Sequence, residues 1–209
     1  MGTGQAINNA RNCDGGILIV HDKKREAAFM KNNYGSKIHN LMFNDYIIIG
    51  PKEDFAGVSN SLSSSEVFTK IYNSKSMFIS RSDSSGTHAA EMSIWTKSGL
   101  DPTSFSGSWY LESGQGMGPS LNIATSLGGY TFTDRSSWLR FQNKVNHTIL
   151  YENPQELRNN YSMILVNHAR CQNLDYEPAK SLYNWLKSAE AAKLISTYEI
   201  NNDTVFYVE

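Results

Sequence analysis

Short apolar runs alternate along this chain with segments whose apolar residues recur at helical spacing, and that alternation leaves few architectures open. Gly15 and Gly16 precede Ile17-Leu18-Ile19-Val20, a β-branched run of the kind a strand buried on both faces shows. His21 and Asp22 close it. Lys23 to Lys31 follows, with Ala27, Ala28, Phe29 and Met30 as its apolar patch, and reads as a helix. A second strand over Leu41 to Ile49 is stopped by Gly50-Pro51. Ser61 to Ser74 begins Ser-rich and becomes amphipathic, with Val67, Phe68 and Ile71 on one stripe. Met77 to Ser80 is a short strand, Arg81 to Gly86 a polar turn, and His88 to Lys97 a helix ended by Gly99 and Asp101-Pro102. Ser108 to Glu112 reads as a strand. The glycine-rich turn Gly114 to Gly118 leads into a helix that runs from about Pro119 to Leu127. Gly129 to Asp134 is a strand, Ser136 to Phe141 a short helix, and Thr148 to Tyr151 and Tyr161 to Asn167 two further strands. Pro178 to Tyr198 reads as the longest helix, with Leu182, Trp185, Leu186, Ala189 and Leu194 in helical spacing, and Thr204 to Val208 as a last strand. The pattern predicts an α/β fold with a mainly parallel sheet.

A chain of 209 residues can form one large domain or two small lobes, each with a core. Its formal net charge of -1 gives no basic field for a nucleic-acid backbone, so nucleic acid is excluded as a partner. No stretch approaches the ~20 apolar residues of a membrane span. Met1 to Asn9 is polar and Gly-rich, unlike a signal peptide. Cys13 and Cys171 form no CxxC unit; two buried thiols and one disulfide both remain open. N-x-[ST] sequons begin at Asn146, Asn160 and Asn202.

The segment richest in chemistry is Phe78-Ile79-Ser80-Arg81-Ser82-Asp83-Ser84-Ser85-Gly86-Thr87-His88. It puts an arginine at the end of a strand, then hydroxyls and a glycine at the start of a helix. The first turn of a helix has N–H groups without internal acceptors, and the aligned peptide dipoles make that end partly positive. An anion there takes several backbone hydrogen bonds at once. Gly86 permits close approach, Ser85 and Thr87 add O–H donors, and Arg81 adds a permanently charged fork. The same residues serve equally well as an ordinary helix cap. A second turn, Glu112-Ser113-Gly114-Gln115-Gly116-Met117-Gly118, also precedes a helix and can expose N–H groups.

Other signatures are weak. Gly2-Thr3-Gly4 begins like a dinucleotide fingerprint, but the third glycine is missing and no strand comes before it. None of His21, His39, His88, His147 and His168 stands in a zinc-type spacing. His21-Asp22 at a strand end is a candidate catalytic pair for a hydrolase reading, against the blander reading of a strand terminus held by local hydrogen bonds. Asp134-Arg135 reads as a structural ion pair.

Gly2-Thr3-Gly4-Gln5-Ala6, Val20-His21-Asp22, Asn44-Asp45-Tyr46 with Gly50-Pro51, Ser80-Arg81-x-Asp83-x-Ser85-Gly86-Thr87-His88, Glu112-Ser113-Gly114-x-Gly116-Met117-Gly118 and Tyr130-Thr131-Phe132-Thr133-Asp134-Arg135 occur in that order. Together they resemble the tungstate-binding protein family of ABC transporters, within the type II periplasmic-binding-protein superfamily, over essentially the whole chain. The resemblance implies two α/β lobes with a central cleft. Residues 1–51 and 148–209 would form lobe 1, and residues 52–147 lobe 2, with crossings near Pro51 and Thr148. It implies a non-catalytic, monomeric, extracytoplasmic protein with no cofactor. Its ligand would be tungstate or molybdate and its partner an ABC transporter permease. The implied ligand set is Arg81, with Ser85, Gly86 and Thr87 as donors, Thr3 from the opposite lobe, and Met117 and Gly118 lining the cleft. Family members carry a strand, a helix and a further strand ahead of the Gly-Thr-Gly-Gln-Ala motif, so lobe 1 is expected to lack its first strand and helix here. Ser82 stands where a glycine is common. The alternative expectation is a relative that keeps the fold without the ligand and acts as an interaction protein.

Overall fold

The computed structural model describes residues 2–208. In chain order the elements are α1 (Thr3–Arg11), β1 (Ile17–Val20), α2 (Lys23–Lys31), β2 (Gly35–Pro51), α3 (Ser64–Ser74), β3 (Phe78–Ser80), α4 (Gly86–Lys97), β4 (Tyr110–Glu112), α5 (Met117–Leu127), β5 (Tyr130–Asp134) and α6 (Arg135–Arg140). They continue with β6 (His147–Glu152), β7 (Arg158–Val166), α7 (Tyr176–Trp185), α8 (Ala189–Ser196), β8 (Glu199–Ile200) and β9 (Asp203–Thr204). The chain forms two compact units, one made of Met1–Asn44 and Asn159–Glu209, the other of Asp45–Arg158. Both divisions fall inside or at the edge of long strands, β2 and β7, because each strand contributes to more than one set of pairings.

In the first unit β7 lies between β1 and β2, and β1 pairs with it antiparallel from Ile17↔Leu165 to Val20↔Ser162. Successive β7 side chains point to opposite faces. Ile164 and Val166 pack with Ile7, Ala10, Leu18, Val20 and Phe29 from α1, β1 and α2, while Met163 and Leu165 pack with Leu41 and Tyr183. The result is a sheet with helices on both faces. Helix α1 occupies the segment that looked like a broken dinucleotide turn, and it buries Thr3, Ile7 and Ala10 at helical spacing. Asp22 caps α2 by accepting the Arg25 N–H, and Glu26 returns the favour to the Asp22 N–H at 3.0 Å. The Cys13–Cys171 disulfide, with Cα atoms 5.4 Å apart, joins the two stretches of this unit.

Three expectations need correction here. Ile17–Val20 is not buried on both faces, since Ile19 is 43% exposed on the terminal strand of the pairing order. Residues 178–198 form two helices, not one. α7 ends at Trp185, and Ser188 opens α8 by accepting the Ala191 N–H, a cap that helical spacing alone does not reveal. Leu182, Trp185 and Leu194 on those helices are exposed. The tail contributes a β8–β9 hairpin and a single bridge from Tyr207 to Phe43 in place of a full strand.

In the second unit β3 is flanked by β4 and β5, both parallel to it, and β5 continues to β2, which pairs antiparallel with both β5 and β6. The sheet is therefore mixed where a mainly parallel one was expected. The β3–α4–β4–α5–β5 crossovers generate the parallel strands, and β2, the strand that enters the unit, runs the other way against both β5 and β6. Tyr46 and Ile48 face an aromatic core with Phe68, Phe78, Trp95, Trp109, Tyr110 and Phe132, while Ile47 and Ile49 face Met117, Leu121 and Trp138. Phe68 meets Trp95 edge-on with centroids 4.5 Å apart.

Candidate functional site

The three parallel strands end side by side, with Ser80 registered against Glu112, and each is followed by a helix N-terminus. In open α/β sheets ligands collect at the carboxyl ends of the strands for this reason. The two turns singled out in the sequence are joined directly. Ser113 donates its N–H to the Ser80 carbonyl at 2.9 Å and its hydroxyl to the Arg81 carbonyl at 3.3 Å.

Arg81 is 14% exposed. Its Nη2 donates to Asp83 Oδ2 at 2.5 Å, and its Nε–H is buried without a partner. An unmet guanidinium donor inside a protein costs free energy unless something completes it. Ser85 is the N-cap of α4 and accepts the His88 N–H at 3.1 Å. Its own N–H, at 3.1 Å, and its hydroxyl both go to Asp83 Oδ1. The Ser85 hydroxyl expected to meet a ligand is thus engaged by Asp83. Gly86 and Thr87 are buried in the first turn, where N–H groups lack intrahelical acceptors. Burial alone would push the Asp83 carboxyl up, but the bonds from Ser85 and Arg81 outweigh it and hold the group below the usual carboxylate range.

At the second turn, Gly116 caps α5 without a side-chain bond, and a Cβ placed on Gly118 would meet nothing within 4 Å. Met117, expected to line the cleft, packs its side chain with Ile47, Ile49, Leu121 and Trp138. Thr3, the first residue of α1, is 5% exposed and lies in the first unit.

Sequence reasoning gave Asp83, Glu91 and Glu112 no part in the site. Asp-x-Ser before a helix is itself a local hydrogen-bonding signature and was the available signal. Glu112 accepts the hydroxyls of Ser106 and Ser82, the latter at 2.6 Å, and these bonds lower its carboxyl. Glu91, 2% exposed, accepts from Ser80 at 2.8 Å, from Tyr110 at 2.9 Å and from Trp95 Nε1 at 3.2 Å. Glu91, with Oε2 3.8 Å from His88 Nδ1, raises the imidazole's pKa against the opposing effect of burial. The Ser80 hydroxyl is fully buried and donates to Glu91, so Ser80, His88 and Glu91 do not make an activated nucleophile.

The remaining sequence candidates resolve as structural groups. His21 bonds Asn159 Oδ1 at 2.9 Å and stacks on Tyr161, and Asp22 caps α2, so the two form no catalytic pair. Arg135 does not pair with Asp134. It clamps Asp45 through Nε, at 2.9 Å, and Nη2, and reaches Glu152, while Asp134 caps α6. Among the described residues no group of three or more His, Cys, Asp or Glu side chains is arranged to hold a metal ion, and no helix is long and apolar enough to cross a membrane.

Ser82 has φ +43°, a region where a β-carbon is strained and glycine is not. Ser82→Val is expected to cost about 2 kcal/mol, while Ser82→Gly stays within about 1 kcal/mol of the parent because lost strain offsets the lost bond to Glu112. Urea midpoints of the two variants check this.

Paired α/β units with helix N-termini gathered at parallel strand ends define the class of two-unit binding proteins, and the chain belongs to the PBP superfamily domain family, whose model matches residues 1–190. The particular relatives are anion binders by name. The chain is 34% identical over 200 residues to the tungstate-binding protein TupA of Peptoclostridium acidaminophilum, covering 95% of this chain and 69% of that protein. It is 36% identical over 211 residues to a candidate ABC transporter anion-binding protein of Haloferax volcanii, covering 99% of this chain; it spans 61% of that relative's length. The solved structure of the tungstate ABC transporter from Geobacter sulfurreducens matches with TM-score 0.85 and 36% identity, covering 95% of this chain and 83% of that one.

Proposed function

We propose that this chain is a solute-binding protein, not an enzyme, that holds a tetrahedral oxyanion, tungstate or molybdate, at the strand ends of its second unit. It would act as the binding component of an ABC transporter, in line with the names of its relatives, and outside the cytoplasm, as the family resemblance implies. The observation that carries the reading is the buried, unpartnered Nε–H of Arg81 beside the first turn of α4. A dianion could take that donor together with the N–H groups of Gly86 and Thr87, and with Gly118 at the start of α5. Oxygen ligands on a sphere suit donors that converge from two helix ends, and a low-dielectric surround strengthens each bond.

Asp83 favours a second reading, a non-catalytic relative that keeps the fold without a ligand, because its carboxylate already satisfies much of Arg81 and Ser85. Thermal unfolding with added oxyanion separates the two. Tungstate at about 100 times its Kd stabilises the folded state by ~2.7 kcal/mol, a rise in Tm of about 5–10 °C for a chain of this size. Arg81→Met is expected to lose most of that rise. No shift with either oxyanion at millimolar concentration rules out the binding reading in favour of the second.

A further inference from the structure

Asp83 engages Arg81 and Ser85, two of the residues that the family resemblance assigns to the anion. Its Oδ2 takes Arg81 Nη2 at 2.5 Å, and its Oδ1 takes both the N–H and the hydroxyl of Ser85, the residue that opens α4. Those are donors of the kind an oxyanion would use, and a carboxylate with two oxygens and about four lone-pair positions satisfies them in the same manner. The geometry points to Asp83 as a tethered competitor: its carboxylate occupies part of the anion site while the site is empty, and an incoming oxyanion must displace it. The inference rests on the oxyanion-binding reading given above.

The arrangement has a physical rationale. Arg81 is largely buried, and a buried cation left without a counter-charge destabilises the fold strongly. Asp83, two residues along the chain, supplies that counter-charge in the empty state. A short tether keeps the carboxylate at a local concentration of at least millimolar, so weakly held monoanions cannot enter. A tetrahedral dianion, with more charge and more oxygens, can displace it. Once displaced, Asp83 remains close to the bound dianion as a like charge and lowers its affinity. Asp83 therefore stabilises the empty protein and weakens the complex, and it acts as a specificity-determining residue. A purely structural ion pair would do only the first.

Calorimetric titration and thermal unfolding with sodium tungstate on the parent chain, Asp83→Asn and Asp83→Ala distinguish these cases. Both variants are expected to unfold at lower temperature than the parent when empty, to bind tungstate about tenfold or more tightly, and to gain more in Tm when it is added. Equal or weaker binding in the variants, with the parent still binding, overturns this inference and leaves Asp83 as a group that merely positions Arg81. No uptake by parent or variants overturns the oxyanion reading along with it. Should the variants fail to fold, the parent decides alone. With aspartate carboxyl carbons labelled, tungstate is expected to move the Asp83 carboxyl resonance toward that of a free carboxylate, and an unmoved resonance overturns the displacement.

Discussion

Reduction of the Cys13–Cys171 bridge, or its replacement by Cys13→Ala with Cys171→Ala, is expected to destabilise the first unit by about 4 kcal/mol. The two residues are separated by 158 positions, and the whole second unit lies between them. The bridge ties the end of α1 to the turn after β7, so the two stretches of the unit start folding already joined. Closing so long a loop by chance is the entropic cost the covalent bond removes. Cys171 is also buried in the core with Ile7, Ala10 and Ile164, which adds a packing loss in the variant. Denaturant titrations with and without a phosphine reductant measure the difference. An unchanged midpoint would mean that the bridge contributes nothing to the folded state in solution.

Trp95→Ala is expected to cost 3–5 kcal/mol, expressed in the second unit. Trp95 is fully buried, and its ring contacts Phe68, Phe78, Trp109 and Tyr110. The substitution leaves a large cavity that neighbours in fixed rotamers close only in part. It also removes the Nε1–H that Glu91 Oε1 accepts at 3.2 Å, leaving that oxygen with the Tyr110 hydroxyl. Trp95→Phe fills most of the space but still loses the bond, so a cost of about 1–2 kcal/mol is expected. Urea midpoints of both variants give the comparison, and a loss near zero for Trp95→Ala would mean that the aromatic core is not packed as described.

Much of the fold was legible because it is written locally. Ile17–Val20, Leu41–Ile49 and Met77–Ser80 declare strands through short apolar runs, and Asp22, Ser63, Ser85 and Asp134 declare helix starts through side chains that reach N–H groups three residues on. The arginine-hydroxyl-glycine segment at residues 81–87 was visible for the same reason. The single helix read over residues 178–198 failed because one serine cap, Ser188, interrupts a spacing that otherwise continues.

What the sequence determined by itself is the set of elements and the chemical kind of the site, since hydrogen-bonding range and side-chain periodicity act over a few residues. Only the tertiary structure decided which strands run antiparallel, that Cys13 meets Cys171, that Arg135 holds Asp45 and not its neighbour Asp134, and that Met117 belongs to the core. Those outcomes depend on burial and on partners dozens of residues away. Free energy there is set by which groups leave water together, a quantity no local window of the chain contains.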